Sequence, residues 1–439
     1  MALSVPSSLQ PLLAQPVAIL GGGVSGIGVC ALLATLGGES VIYDAKATTF
    51  TSKLARNHRL AIFSPGFPPE HPWLAVARAA GCECQNELDF ASQFWRGSII
   101  AITGTNGKTT LTEFLTHALR AAGRKAYATG NIGYSFTQLV AETEGGTADC
   151  IAVCEVSSFQ AETLRTMRPD ATLWTNFAED HLERHPTLES YFSAKWNLVA
   201  RTRDSSGKPA RAETRNSALF LGSSVQRFAQ KFDRPIPDGS GVDSEHRPQD
   251  ERLAGTPFAD YPQRENFLLA AAWWRASGLP LAELYESAQT FVIGRHRMAR
   301  VVENDGVVYW NDSKATNFHA VEAALARFST PVVLIAGGKA KGGDLAGFVH
   351  RIAPRVKHAV LIGETSVELA FQFSAFRVGH TSCVSLADAV RRAAEVAQSG
   401  DNVLLSPGFA SFDMFRGYAD RGEQFEQLVR ELRSTASFR

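Results

Sequence analysis

Short apolar runs alternate with longer amphipathic segments along most of the chain. Each run ends in polar or glycine-rich residues, which is typical of buried strands that lead into helices. The candidate strands read VAIL (17–20), SVIYDA (40–45), SIIAITG (98–104), CIAVCE (150–155), ATLWTNF (171–177), PVVLIAGG (331–338), HAVLIGE (358–364) and NVLLSPG (402–408). This alternation predicts an α/β fold with parallel sheets, whose ligands bind where the strands end.

The same pattern divides the chain into three parts. A new strand–loop–helix unit begins at residue 98, which predicts a boundary near residue 97. A second boundary near residue 293 precedes the segment GRHRMARV. Residues 203–256 are rich in Ser, Gly, Pro, Arg and Asp, and we expect surface loops there.

Composition narrows the classes of partner. The 439 residues include 44 basic and 44 acidic side chains, so the net charge is zero and nothing indicates a nucleic-acid surface. No apolar stretch approaches the ~18 residues of a membrane span. The six cysteines are scattered, which indicates a reducing cytosol rather than a disulfide framework.

The segment AITGTNGKTTLTEF (101–114) resembles a phosphate loop that is too tight. Ile102 stands where the usual motif has its first glycine, and Gly104 follows instead. Gly104 and Gly107 bracket a turn whose N–H groups can face phosphate oxygens. Lys108 would supply a positive charge and Thr109 a hydroxyl for Mg²⁺. The alternative is a solvated turn, but a strand before it and a helix after it favour a phosphate site.

Polar residues also stand at the ends of the next strands. Glu155 closes one strand and is either a ligand for a hard cation or a helix cap. His181, in EDHLERH, is by itself compatible with a surface histidine. Lys195 lies among aromatic residues, where it either reaches solvent or, if buried, becomes reactive. Asn131 is a further amide at a strand end.

A first glycine cluster follows the first strand. Gly21, Gly23 and Gly26 permit a tight turn and close approach of a phosphate to a helix N-terminus. Asp44 follows the second strand, where an acidic side chain would meet a ribose or a base. A Ser64-Pro65-Gly66 turn ends another strand. This cluster also fits a plain Rossmann-like turn without a cofactor, or an NAD-dependent oxidoreductase.

The last third of the chain carries lysines, hydroxyls and amides on loops. They suit an anionic amino acid or a phosphate, although each motif alone is compatible with an ordinary turn. The residues concerned are Arg297 in GRHRM, Asp312, Lys314 and Thr316 in YWNDSKATN, Lys341 in AGGKAKGGD, and Ser411 and Phe412 in LLSPGFASFDMF.

Taken together, these motifs resemble the Mur ligase family. The tight loop TGTNGKTT, GNIG, EVSSFQ, EDHLERH and the Lys195 segment occur in the order typical of that family. The motifs SPG (64–66), NDSKATN (311–317) and SPGFASFDMF (406–415) are typical of its D-glutamate-adding member. The resemblance spans nearly the whole chain, and the joint pattern is far more specific than any single motif.

The resemblance implies three domains. Residues 1–97 would form a Rossmann-like domain that binds the UDP end of the substrate without a nicotinamide. Residues 98–293 would form a central P-loop-type ATPase domain, and residues 294–439 a Rossmann-like domain for glutamate and ATP. The implied activity is ATP-dependent addition of D-glutamate to UDP-N-acetylmuramoyl-L-alanine through an acyl phosphate, in peptidoglycan precursor synthesis. A cytoplasmic monomer that uses Mg²⁺ and small-molecule substrates, without nucleic acid or membrane, is expected.

Site residues follow from the resemblance, motif by motif. Catalytic roles fall to Lys108, Glu155, His181 and Lys195, and Lys195 is expected to be carbamylated. Metal ligands would be Thr109, Glu155, His181 and carbamylated Lys195. ATP would contact Gly104, Thr105, Asn106, Gly107, Lys108, Thr109, Thr110, Asn266, Arg297 and Asp312. The UDP substrate would contact Gly23, Val24, Ser25, Gly26, Asp44, Ser64, Gly66 and Asn131. Glutamate would contact Lys314, Thr316, Lys341, Ser411 and Phe412.

One departure and several rivals stay open. The His-Asn-x-x-Asn pattern of the family reads Glu265-Asn266-Phe267-Leu268-Leu269 here, which leaves adenine recognition unresolved. A folate-type polyglutamate ligase shares the central and last domains, but the Rossmann-like segment before the loop argues against it. Other rivals are another Mur ligase, a sister enzyme that takes L-glutamate, and a non-catalytic UDP-sugar-binding protein. An oxidoreductase would leave Lys108, Glu155 and His181 without a role.

Overall fold

The computed structural model contains three sheets within the described residues, 3–203, 218–245 and 248–436. These residues form two compact units. The first extends to Phe177 and adds Glu189–Ala259 and Gln263–Phe291. The second comprises Ala178–Leu188, Asp260–Pro262 and the chain from Val292 onward. Within the described ranges, no helix is both long and apolar enough to cross a membrane.

The first sheet has four parallel strands in the order β2-β1-β3-β4. Its elements are β1 (Val17–Leu20), α1 (Val24–Thr35), β2 (Ser40–Tyr43), α2 (Ser52–Ala55), β3 (Leu60–Phe63), α3 (Pro72–Ala79), β4 (Glu83–Asn86) and α4 (Glu87–Ser92). The two central strands, β1 and β3, are buried throughout, as their uninterrupted apolar sequences require. Strand order reverses between them, which places a crevice at their carboxyl ends.

The second sheet has five parallel strands in the order β6-β7-β5-β8-β9. Its elements are β5 (Ser98–Thr103), α5 (Lys108–Ala121), β6 (Lys125–Gly130), α6 (Phe136–Glu142), β7 (Cys150–Glu155), α7 (Ser158–Glu162), β8 (Ala171–Trp174), α8 (Leu188–Arg201), β9 (Leu219–Leu221), α9 (Ser223–Lys231), α10 (Gln263–Ala276) and α11 (Leu281–Thr290). The candidate phosphate loop therefore follows the middle strand, β5.

The prediction of loops throughout residues 203–256 is wrong in three places. The strand β9, the helix α9 and a 3₁₀ turn at Glu251–Leu253 lie within that segment. Strand β9 is only three residues long, so its sequence is too short to show an alternation of apolar and polar residues. It is a strand because it pairs with β8. Residues 204–217 and 246–247 lie outside the described residues.

The first two sheets share one apolar core inside the first unit. The buried face of α1 packs on α6, and Leu32, Phe90, Phe136 and Leu139 belong to a single cluster with residues of β5 and β7. Gly28 permits this close approach, because a Cβ there would meet the hydroxyls of Ser135 and Thr137. The two sheets are therefore packed as parts of one body.

Two carboxylates of α4 tie the same two sheets together. Glu87 accepts hydrogen bonds from the Thr137 N–H at 2.6 Å and the Thr137 hydroxyl at 2.8 Å. Burial raises the pKa of Glu87. Asp89 accepts three backbone N–H groups, from Arg165, Thr166 and Met167, at 2.7–2.9 Å. Both side chains are almost fully buried, so each would destabilise the unit if its partners were lost.

The third sheet, in the second unit, has the order β10-β11-β15-β12-β13-β14. Its elements are β10 (Ala299–Asn304), β11 (Val307–Asn311), α12 (Phe318–Leu325), β12 (Val332–Gly337), α13 (Leu345–Ile352), β13 (Val356–Ile362), α14 (Ser366–Ala375), β14 (Gly379–Ser382), α15 (Leu386–Val396), β15 (Asn402–Leu405) and α16 (Tyr418–Ala436). The strands of this sheet pair in parallel, except that β10 and β11 form an antiparallel hairpin. Asp305 and Gly306, both with positive φ, make its two-residue turn.

The close approach at Gly28 gives a first test. Gly28→Ala should lower the free energy of unfolding of the first unit by about 1–3 kcal/mol, because the added methyl would displace two hydroxyls with structural roles. The Ser135 hydroxyl caps α6, and the Thr137 hydroxyl holds Glu87. Urea unfolding monitored by circular dichroism measures the change. Gly66→Ala, at an exposed position with open space around it, is the matched control. Equal stability of the two variants would contradict this packing.

Candidate active site

The loop after β5 is shaped by one left-handed residue. Gly107 has φ +81° and forms the N-cap of α5, so the first N–H groups of that helix open toward the loop. A Cβ at Gly107 would lie 2.6 Å from the side-chain oxygen of Asn266. Both the backbone angle and the close packing therefore require glycine at this position.

The loop is held in place from the neighbouring strand, β8. Thr105 donates its backbone N–H to the Asn176 carbonyl at 3.0 Å, and Asn106 donates its N–H to the Asn176 side-chain oxygen at 2.9 Å. The Thr175 hydroxyl donates to the Asn106 carbonyl at 2.6 Å. These three hydrogen bonds fix the shape of the loop. An anion site built in this way needs little rearrangement when its ligand binds.

Two lysines converge on the same loop. Lys108 Nζ donates to the carbonyls of Gly104 at 3.0 Å and Thr105 at 2.9 Å. Lys195 Nζ donates to the Gly104 carbonyl at 2.9 Å and to the Thr103 hydroxyl at 3.3 Å, and its side chain is only 1% exposed. Of the two alternatives for Lys195, solvent exposure and burial, the structure shows burial, because α8 directs the side chain into the protein. The Gly104 carbonyl therefore accepts hydrogen bonds from both lysines.

Glu155 and Asn131 lie together at the carboxyl edge of the second sheet. Asn131 donates its side-chain amide to Glu155 Oε1 at 2.9 Å. Glu155 is buried, and its other oxygen, Oε2, has no hydrogen-bond partner among the described residues. The hydroxyl of Thr110, in the first turn of α5, is likewise buried without a partner there. A buried carboxylate oxygen without a partner is costly, and a cation would satisfy it.

Glu265, in the first turn of α10, contacts Asn176, which holds the phosphate loop. It accepts hydrogen bonds from the Ser244 hydroxyl at 3.0 Å and from the Asn176 side-chain amide at 3.4 Å. Burial raises the pKa of Glu265 to about 7, although these two hydrogen bonds lower it in part. The next residue, Asn266, contacts Gly107. The sequence alone did not predict the contacts of Glu265, Asn176 and Ser244.

The first sheet gathers most of the residues predicted to hold the UDP end of a substrate. The segment Gly23–Gly26 begins α1, and Asp44 accepts the Gly22 N–H at 3.0 Å. Backbone N–H groups of Gly22 and Lys46 lower the pKa of Asp44. Ser64 donates its hydroxyl to the Gly21 carbonyl at 3.4 Å, and exposed Gly66 follows in the same turn. Asn131 lies instead beside Glu155 in the second sheet.

In the second unit, Asp312 is buried at the carboxyl end of β11. It accepts the Met298 N–H at 3.1 Å and the Ser406 hydroxyl at 3.0 Å. Burial raises the pKa of Asp312 to about 7, and the positive charge of Arg297 lowers it in part. Asp312 and Arg297, both predicted to bind ATP, therefore interact electrostatically.

A small cavity of the second unit contains several residues predicted to bind metal or glutamate. His181, Thr316 and Lys341 line it, together with Asp180 and Asn317. Lys341 Nζ lies 3.7 Å from Asp180 Oδ1, and Asn317 donates its side-chain amide to Asp180 Oδ2 at 3.0 Å. His181 has φ +56° and places Nδ1 3.2 Å from Glu183. The cavity therefore presents cationic and amide groups around one aspartate.

Three other residues that were predicted to bind glutamate do not line this cavity. Lys314 Nζ lies 3.8 Å from the centre of the Tyr418 ring. The sequence motifs did not indicate Tyr418. Ser411 is buried, but it is not among the residues that line the cavity around Asp180. The Phe412 side chain is 72% exposed and does not line that cavity either. Tyr418 is thus the aromatic side chain that the structure brings to Lys314.

Sequence comparisons relate most of this chain to ligases. Residues 102–212 match the Mur ligase middle domain, and residues 296–409 match the Mur ligase, glutamate ligase domain. The UDP-N-acetylmuramoylalanine--D-glutamate ligase of Caldanaerobacter subterraneus subsp. tengcongensis is 33% identical over 95% of this chain and 98% of its own. The enzyme of the same name from Syntrophotalea carbinolica is 36% identical over 85% of this chain and 84% of its own.

Solved structures show the same fold at low sequence identity. UDP-N-acetylmuramate-alanine ligase MurC from Thermotoga maritima has a TM-score of 0.60 and 15% identity, over 95% of this chain and 99% of its own. FolC from E. coli, in complex with DHPP and ADP, has a TM-score of 0.54 and 18% identity, over 78% of this chain and 92% of its own. The predicted α/β fold is confirmed, whereas these structural similarities do not separate one activity from another.

Burial of Asp312 gives a pH test of the second unit. The carboxyl ionises near pH 4 in the unfolded chain and at about pH 7 when folded, so the folded protein retains the proton longer. Stability should therefore fall as pH rises through this window. Asp312→Asn lacks this ionisation. The free energy of unfolding of the wild type, relative to that variant, should fall by about 2–3 kcal/mol between pH 5 and pH 8.

Urea unfolding of both proteins at several pH values measures this difference. The amide of Asp312→Asn keeps only part of the hydrogen bonding, but that loss is constant and cancels in the comparison across pH. A difference that does not change with pH would show that Asp312 ionises normally in the folded protein.

Proposed function

The chain belongs to the Mur ligase family, and from that premise we propose that it is an ATP-dependent ligase that adds D-glutamate to UDP-N-acetylmuramoyl-L-alanine. The observation that carries the proposal is the 33% identity to a UDP-N-acetylmuramoylalanine--D-glutamate ligase over 95% of the chain. The phosphate loop with its two lysines agrees with a reaction driven by ATP.

The reaction joins a carboxylate to an amine, and this condensation is unfavourable in water. The γ-phosphoryl group of ATP is transferred to the alanyl carboxylate, giving an acyl phosphate and ADP. The amine of glutamate then attacks the acyl carbon, the new amide bond forms, and inorganic phosphate leaves with the bond electrons. Negative charge spreads over the transferred phosphoryl group, so catalysis depends mainly on positioning and on nearby positive charge.

The phosphate loop supplies that environment. Backbone N–H groups of Gly104–Thr110 would donate hydrogen bonds to the phosphate oxygens at the N-terminus of α5. Lys108 would exchange its two carbonyl partners for the phosphates of ATP. Asn266 would meet the nucleotide beside Gly107. Arg297 and Asp312 are further proposed ATP contacts, by resemblance to the family.

The residues present fit a magnesium ion at Glu155. Its unpartnered buried Oε2 is a hard ligand for a divalent cation, and the Thr109 hydroxyl is the loop's candidate ligand. No cluster of three or more His, Cys, Asp or Glu side chains suited to a metal occurs among the residues that the structure describes. Bound Mg²⁺ would neutralise phosphate charge and stabilise the transferred group. His181 is a further proposed metal ligand, by resemblance to the family.

Lys195 fits the proposed carbamate. Addition of CO₂ to its amine would replace an ammonium with an anion whose oxygens can bind a cation. The nitrogen keeps one N–H, which can still donate to the Gly104 carbonyl, now 2.9 Å away. The buried position between α8 and the loop would hold the carbamate in one orientation.

The remaining assignments are part of the same proposal. The first sheet would bind the UDP end through Gly23–Gly26, Asp44 and Ser64, and Lys341 with Thr316 would bind glutamate. The three domains would be 1–97, 98–293 and 294–439, in a monomeric cytoplasmic enzyme with small-molecule partners. The specific alternative is the sister activity on L-glutamate, because a sequence motif does not determine which enantiomer of glutamate the pocket binds.

Phosphate release distinguishes these activities. With ATP, Mg²⁺ and UDP-N-acetylmuramoyl-L-alanine, the purified protein should release phosphate when D-glutamate is added and not when L-glutamate is added. Reactions without the UDP substrate give the background ATPase rate. Release with L-glutamate alone would move the protein to the sister activity, and release with neither would refute the proposed ligation.

Carbamylation of Lys195 is tested by CO₂ depletion. The wild type in CO₂-depleted buffer should lose activity and regain it when bicarbonate is added. Lys195→Ala and Lys195→Arg should each lower kcat by at least about 100-fold, because both remove a group that directs metal and phosphate charge. The arginine variant keeps the positive charge but cannot form the carbamate, so it is the matched control. Full activity in either variant would remove the carbamate from the mechanism.

A further inference from the structure

We propose that Glu265 is a positioning residue for nucleotide binding, because it fixes the side-chain amide of Asn176, which in turn holds the phosphate loop. This inference rests on the proposed function only in that the loop binds ATP. Glu265 touches neither the loop backbone nor, by the contacts described, any reacting group. Glu265 would act on the phosphate loop only through the side-chain amide of Asn176.

Glu265 is placed for this role by the first turn of α10. The carboxylate is 6% exposed, so its orientation is set by the protein rather than by solvent. Oε1 accepts from the Ser244 hydroxyl at 3.0 Å, and Oε2 accepts from Asn176 Nδ2 at 3.4 Å. Ser244 is itself held, because it accepts the Ser223 N–H at 3.0 Å. Both neighbours of the carboxylate therefore act as donors.

The amide of Asn176 has two ends with opposite requirements. Its oxygen accepts the Asn106 N–H at 2.9 Å, and its nitrogen faces Glu265. A rotation of the amide by 180° would place N–H against N–H at the loop and oxygen against oxygen at Glu265. An acceptor at position 265 therefore selects the orientation in which Asn176 supports the loop.

A carboxylate suits this position better than a group that must also donate. Burial raises the pKa of Glu265 to about 7, so the carboxyl is mostly ionised only above that pH. In the ionised form its two oxygens each accept from one of the two donors, and no donor of its own is left without an acceptor. The surrounding charges are limited: Arg227 favours the ionised form and Glu245 opposes it.

The same helical turn acts on both sides of the loop. Glu265 reaches Asn106 through Asn176, and Asn266 contacts Gly107 directly. Loss of the acceptor at 265 would free the amide of Asn176 while leaving the Asn266 contact in place. The expected consequence is weaker nucleotide binding with little change in the chemical step.

Calorimetric titration with ADP and Mg²⁺ tests the proposal without either of the other substrates. At pH 8, above the pKa of about 7, the Glu265 carboxyl is ionised. Glu265→Leu should then raise the Kd for ADP about tenfold, the factor that one lost hydrogen bond to a charged group produces. Glu265→Gln keeps an oxygen that can accept from Asn176, so its Kd should stay within about threefold of the wild type. In the ligation assay, Glu265→Leu should raise KM for ATP more than it lowers kcat.

A double-mutant cycle tests the route through Asn176. Asn176→Ala removes the amide but keeps the backbone carbonyl that receives the Thr105 N–H. Adding Glu265→Leu to that variant should produce no further loss of ADP affinity, because the amide that Glu265 orients is gone. Ser244→Ala, which removes the other hydrogen bond to Glu265, is the matched control and should change the Kd less than Glu265→Leu does.

Several results would overturn the proposal. Additive losses in the double variant, or equal losses in Glu265→Leu and Glu265→Gln, would assign Glu265 a general structural role. So would a folded Glu265→Leu protein that binds ADP like the wild type, with folding checked by its thermal midpoint. If the wild type itself binds no ADP, the proposed function fails instead, so the two failures are distinguishable.

Discussion

Backbone N–H groups that converge on one point repel each other, so a phosphate loop keeps its shape before a ligand arrives only if other groups restrain it. In this protein the restraint comes from the end of the neighbouring strand. Asn176 receives two loop N–H groups, and Thr175 donates to the loop carbonyl of Asn106. The parallel pairing of β5 with β8 brings these groups together. The whole arrangement of lysines, Asn266 and Glu265 depends on that pairing.

Contacts also join this region to the first sheet. A shared apolar core and the buried carboxylates Glu87 and Asp89 join the two sheets in the first unit. The helix α1, which begins with the glycine turn, packs directly on α6 of the second sheet. The candidate UDP site and the candidate phosphate site are therefore built on one compact unit.

Local signals allowed much of this to be predicted. The apolar runs gave the central strands, and the spacing of Gly104, Gly107 and Lys108 gave the loop, because each depends on neighbours in the sequence. Glu265 could be recognised from the sequence only as a departure from a pattern, since its partners are 21 and 89 residues away. Tyr418 was missed for the same reason, because only the fold brings it to Lys314, 104 residues earlier along the chain.

The composition of the second unit has an evolutionary consequence. Asp180 and His181 are encoded in the middle of the chain, yet they belong to the same unit as Asn317 and Lys341. A recombination event with a breakpoint near residue 293 would separate these partners even if it exchanged an intact C-terminal domain. Segments 178–188 and 292–436 are thus expected to co-vary among relatives, and chimeras that ignore this linkage would pair an aspartate with an unmatched lysine.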